Sequence, residues 1–166
     1  LGTRVEELCL GFPVAVLCNG QPLKRPLAEG HLATQASPIG AVHLAGTLDG
    51  KYSHETMVFL QGFCVLKPTY CLRDELNVVH LDSRQFMARL PDRDKLIDED
   101  VQRKRIDAEL KACWRNTLEI ARTRLSPERF VETYYSVMRG WGQLDLLNDM
   151  DVLPTELCDA IVGYPI

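Results

Sequence analysis

Arg89-Leu90-Pro91-Asp92-Arg93-Asp94-Lys95-Leu96-Ile97-Asp98-Glu99-Asp100 is the stretch on which the architecture turns. Upstream of it, apolar residues come in short runs punctuated by Asn-Gly, Asp-Gly and proline, the pattern of strands and turns. Downstream, they recur every three or four residues, the period of a helix with one buried face. The stretch closes on three carboxylates, which suit the positive end of a helix dipole. The chain therefore reads as α+β: a four- to five-stranded, mostly antiparallel sheet, then a long helix and a C-terminal helical segment.

Working upstream, Asn77-Val78-Val79-His80-Leu81 forms a strand that ends at Asp82-Ser83, and Phe86 to Leu90 is expected as a short final strand. The runs Ile39 to Leu44 and Thr56 to Leu66 flank Asp49-Gly50. Val14 to Leu17 precedes Asn19-Gly20, the stronger hairpin signal because both residues tolerate positive φ. Pro13, Pro22, Pro26 and Pro38 keep to ends and connections, where a missing N–H costs little.

Working downstream, Ile106, Leu110, Cys113 or Trp114, Leu118, Ala121 and Leu125 form one stripe of a helix opening at Asp98. Asp100 with Lys104, and Asp107 with Lys111, are acid-before-base pairs four residues apart that support it. Ser126-Pro127 restarts the pattern, with serine as N-cap and proline at the first helical position. Phe130, Tyr134, Val137 or Met138, and Trp141 make the apolar face of this second helix, which Gly140 and Gly142 end. The tail from Leu144 to Ile166 reads as short helical pieces broken at Pro154.

The 166 residues are 46% hydrophobic and 25% charged, too apolar for a disordered chain. A net charge of -4 supplies no general attraction to nucleic acid, and leaves a local basic patch open. No apolar run approaches the ~20 residues of a membrane span, so no membrane partner is expected. The six cysteines are irregularly spaced and several sit inside apolar runs. They read as reduced thiols in a cytoplasmic setting.

A complete catalytic site is not legible. His31, His43, His54 and His80 are scattered, without the ligand spacing of a zinc site. His54-Glu55 resembles a general-base pair and lacks a nucleophile or metal to act on. Cys113 falls on the apolar stripe, a poor seat for a reactive thiolate. The opening stretch is the densest polar feature and carries two readings. In one it is a solvated connection whose acids cap the helix and pair with its bases. In the other, Arg89, Arg93 and Lys95 present cations near a helix N-terminus, a seat for a phosphate.

Gly2-Thr3-Arg4-Val5-Glu6, then Gly11-Phe12-Pro13-Val14-Ala15-Val16 and Asn19-Gly20-Gln21-Pro22-Leu23-Lys24-Arg25-Pro26, resemble the exit from the ATP-binding domain of the GHKL class. That class includes DNA gyrase B subunits, mismatch-repair ATPases and chaperone ATPases. Its Gly-Thr-x-Val segment follows the ATP lid, and an α+β transducer domain comes next. The transducer reaches the γ-phosphate with a basic residue on a loop after a strand, read as His-Pro-x-Lys in the mismatch-repair branch. Leu90-Pro91-Asp92-Arg93 stands at the comparable place, departing from that pattern at both the histidine and the lysine. Lys95 lies two residues on.

The resemblance implies residues 1–125 as a transducer-like domain, with 1–26 closing an upstream nucleotide-binding domain, and 126–166 as a helical extension. It implies ATP and magnesium bound through that upstream domain and not by this chain alone, since the Asn/Glu helix, the Asp-x-Gly-x-Gly motif and the glycine-rich lid are not in it. The first residue being Leu1 fits an excised piece. The expected function is coupling of ATP binding or hydrolysis to conformational change, with Arg93, Lys95 and Arg89 as phosphate sensors. The alternative is a protein-interaction module, or a homodimer contact, built on Trp114, Phe130, Tyr134, Tyr135 and Trp141 of the helical tail.

Overall fold

A computed structural model of the chain describes residues 2–68, 76–90 and 94–152. The fold is mixed α+β, with two sheets, a long helix and a following helix. Its elements in chain order are α1 (Gly2–Leu8), β1 (Leu17–Cys18), β2 (Gln21–Pro22), β3 (Gln35–Ser37), β4 (Gly40–His43), β5 (Thr56–Leu60), β6 (Phe63–Leu66), β7 (Asn77–Leu81), α2 (Glu99–Arg124) and α3 (Pro127–Gly140). Short 3₁₀ turns cover Glu29–His31 and Leu144–Leu147. The residues group into two compact units: one takes those up to Ala45 and His54–Leu110, the other Gly46–Ser53 and those from Lys111 on.

The first unit holds both sheets. β1 and β2 form the hairpin expected at Asn19-Gly20, whose φ values of 51° and 77° are the left-handed pair such a turn requires. The larger sheet has the order β3-β4-β7-β5-β6. All its neighbours are antiparallel except β5 and β7, which run parallel. β7 is central because its sequence suits burial on both faces: Asn77, Val78, Val79 and Leu81 are all buried. On one face Met57, Phe59 and Val78 pack with Leu27 and Leu76. Side chains alternate along a strand, so Val42, Val58 and Val79 belong to the other face, and they too are buried.

Three strand expectations are corrected. Thr56 to Leu66 is two strands, because Gln61-Gly62 turns with φ values of 53° and 87°. Asp49-Gly50 is a turn, and it does not pair β4 with β5, since β7 lies between them. A turn signal specifies only its own residues. Phe86 to Leu90 forms a single bridge pair, Ala88 with Leu96. Gln35–Ser37, which carries no apolar run, is a strand through its pairing with β4. The Gly-Thr-x-Val segment lies in a helix, α1.

The second unit is built on the C-terminal half of α2, with α3 and the loop 46–53. The expected stripe of α2 is realised as far as Leu118: Ile106, Leu110, Cys113, Trp114 and Leu118 are buried. Ala121 is half-buried, and Leu125, also half-buried, falls just past the helix end. Its ion pairs are Glu99–Arg103 at 2.9 Å and Arg115–Glu119 at 2.7 Å, while Asp100 with Lys104 and Asp107 with Lys111 do not close. Ser126 caps α3, its hydroxyl accepting from the Arg129 amide, with Pro127 in the first turn. At the far end the Gln143 amide donates to Met138 and the Gly142 amide to Arg139, with Gly142 at φ 63°. This is the left-handed cap that glycine makes inexpensive. Loop 46–53 is tied to α3: Tyr134 Oη donates to the Thr47 carbonyl at 2.6 Å and Ser136 Oγ to the Gly50 carbonyl at 2.7 Å. A Cβ on Gly50 would lie 1.6 Å from the Thr133 carbonyl oxygen.

Pro154 and the rest of the tail expected as helical pieces, residues 153–166, lie outside the described residues, as do Cys71 and Cys158. Cys9 and Cys18 are free thiols. No helix among the described residues is long and apolar enough to cross a membrane.

Candidate functional site

The cation loop leaves the end of β7. Asp82 turns the chain: its carboxylate accepts from the Arg84 amide and its carbonyl from the Gln85 and Phe86 amides. Phe86 is buried beneath the Arg105 guanidinium, 4.7 Å from its ring centroid, and Arg105 also donates to Gln85. The Arg89 amide donates to the Lys95 carbonyl at 2.8 Å and the Ile97 amide to the Met87 carbonyl at 3.0 Å, flanking the Ala88–Leu96 pair. Leu96 is buried and anchors the returning arm.

Arg89 and Lys95 therefore stand opposite one another at the neck of this loop. Both are exposed, and neither is in an ion pair among the described residues. Arg93, the third predicted cation, lies outside the described residues. The acids that begin α2 are partly engaged, since Glu99 holds Arg103. Beside the neck is an apolar cavity of about 430 Å³ lined by Leu60, Phe86, Met87, Ala88, Leu90 and Ile97 among others.

A second feature was not legible in the sequence. Strand register sets Ala36 opposite Ala41, Ala41 opposite His80, and His80 beside Phe59 in one row across the large sheet. Two small residues at one end of the row leave a cavity of about 590 Å³, lined also by Gly11, Glu29, Gly40, Gly62 and Asp82. His80 Nε2 is 2.8 Å from the Leu27 carbonyl, which can only accept. That fixes the proton on Nε2 and leaves Nδ1 with its lone pair. The imidazole stacks on Phe59 at 5.2 Å between centroids. Burial pushes its pKa down, against the opposing effects of the Leu27 carbonyl and the Glu29 carboxylate.

The other singled-out residues have local partners. His31 Nδ1 meets the Arg25 carbonyl and His43 Nδ1 the Ala33 carbonyl. His54 Nε2 is 3.5 Å from Glu55 on an exposed strand entry. Among the described residues no three His, Cys, Asp or Glu side chains come together as a metal-ligand set. Of the five tail aromatics, Trp114, Phe130 and Tyr134 are buried, while Tyr135 and Trp141 are half-buried. Among known proteins, no family model, no curated sequence and no solved structure matches the chain.

Proposed function

We propose that this chain is the transducer-like, non-catalytic part of a GHKL-type ATP-binding protein, coupling ATP binding or hydrolysis in a preceding domain to conformational change. The observation that supports this reading is the neck of the loop after β7. Two cations face each other there, exposed and without a carboxylate partner among the described residues, and the second of them, Lys95, lies just before a 26-residue helix that begins at Glu99. Exposed cations free of ion pairs keep their capacity for a phosphate. Arg89 can grip two phosphate oxygens with its planar fork, and Lys95 adds a compact point charge.

The adenine and magnesium contacts belong in this reading to the preceding domain. The role of this chain is to hold the neck in one place and register whether a phosphate is there. Coupling follows if the phosphate-bound and phosphate-free arrangements of the loop differ in free energy, typically by about 1–3 kcal/mol. α2 is the covalent continuation of the loop, and its buried stripe runs on through Cys113, Trp114 and Leu118.

The test uses the full-length protein, whose coding sequence should carry an Asn/Glu helix and an Asp-x-Gly-x-Gly motif within the preceding ~200 residues. ATP turnover is measured for Arg89→Ala, Arg93→Ala and Lys95→Ala. Loss of a sensor cation lowers turnover by about tenfold or more while nucleotide affinity moves less, because the contact strengthens in the transition state. Unchanged turnover in all three variants removes the sensor role.

A further inference from the structure

We propose that the cavity over the Ala36–Ala41–His80 row is a binding site for a small organic ammonium ion. Its volume, about 590 Å³, falls within the roughly 300–1,000 Å³ of small-molecule sites. Its walls are set by close backbone packing. A Cβ on Gly40, which has φ 137°, would lie 2.0 Å from the His80 carbonyl oxygen, and one on Gly11 would lie 2.3 Å from the Phe59 ring. The space above Ala36 and Ala41 thus comes from strand register and backbone contact, which side-chain repacking does not readily close.

The chemistry of the wall selects the ligand. Its lining residues include the acids Glu29 and Asp82, the hydroxyl residues Thr34 and Ser37, and His80, whereas no lysine or arginine is among the described residues that line it. The Ser37 hydroxyl already accepts from the Ile39 amide. Asp82 spends Oδ1 on the Arg84 amide, and the Glu29 carboxylate is exposed and in no ion pair among the described residues. An anion would meet two negative charges and no cation. A metal ion would need its ligands gathered, and no such set exists among the described residues. Acceptors spread around a space of this size match an ammonium group on a short carbon chain, which donates up to three hydrogen bonds. The cations of the loop neck are not among the lining residues, so this site stands independently of the proposed phosphate sensor.

The full 166-residue chain, with isotope-labelled alanine and histidine, is titrated with putrescine and followed by NMR. Saturable shifts of the Ala36 and Ala41 methyls and of the His80 ring are expected. Ala36 is exposed on a strand, so Ala36→Phe fills the cavity from a tolerant position and should abolish binding. Glu29→Gln, at another exposed position, should weaken binding by about fivefold and serves as the decisive variant if Ala36→Phe fails to fold. The neutral analogue 1,4-butanediol and magnesium chloride alone should leave these resonances unmoved. Equal binding of butanediol, saturable binding of magnesium at the same resonances, unaltered putrescine binding in both variants, or no saturable binding each overturns the proposal.

Discussion

Asn77 opens the central strand with its side chain fully buried, accepting from the Ala45 amide at 3.1 Å and donating to the Glu55 carbonyl at 3.3 Å. A buried amide deprived of its acceptor costs about 1–3 kcal/mol. Asn77→Ala should therefore lower unfolding free energy by about that amount, read from a denaturant midpoint at constant slope. Its residue type was visible in the sequence, yet its two partners lie 32 and 22 residues away. His80 makes a further prediction. The folded imidazole has a pKa below its ordinary 6.5 because burial disfavours the cation. As pH falls through 6.5 toward the folded value, the unfolded chain holds more protons and stability drops; above 6.5 the contribution is fully present. Between about pH 8 and about pH 5, wild type should lose more stability than His80→Gln. Equal pH profiles would show that this histidine is not titrating differently in the two states.

Helices and strands differed in how openly they were written. α3 was legible end to end, because its cap, its first-turn proline and its apolar face all act within about one turn. Ser126→Ala should cost about 1 kcal/mol, measurable by thermal or chemical unfolding. The α2 stripe was equally plain, although the acid–base pairs that close on it are Glu99–Arg103 and Arg115–Glu119 rather than those expected. Both partners of every such pair are exposed or half-exposed, and little energy decides between them. Strands were harder to read. A turn signal such as Asp49-Gly50 bends the chain but does not choose its neighbour. Gln61-Gly62 is a weaker signal than Asn-Gly, and it split a run that read as continuous.

The division into two units gives a prediction for the molecule as a whole. Leu118 is fully buried in the unit built from 46–53 and the residues after 110. Leu118→Ala should cost about 2–5 kcal/mol. Native-state hydrogen exchange should accelerate most in α3 and loop 46–53, and less in β4 and β7, if the units open separately. Uniform acceleration would mean that they unfold as one. This division was not legible: the sequence changes character at residues 91–100, while loop 46–53 groups by contact with helices some eighty residues later. The Tyr134–Thr47 and Ser136–Gly50 hydrogen bonds that tie it down join residues with no local pattern in common.

Local periodicity and capping, which depend on neighbours within a turn or two, sufficed to establish the α+β class, both main helices and the cation-rich join at Arg89–Asp100. Pairing between distant segments decided the rest: the central place of β7, the facing of Arg89 and Lys95 across the loop neck, and the Ala36–Ala41–His80 row. A strand's partners are chosen by which arrangement buries the most apolar surface over the whole sheet, and no single segment carries that information.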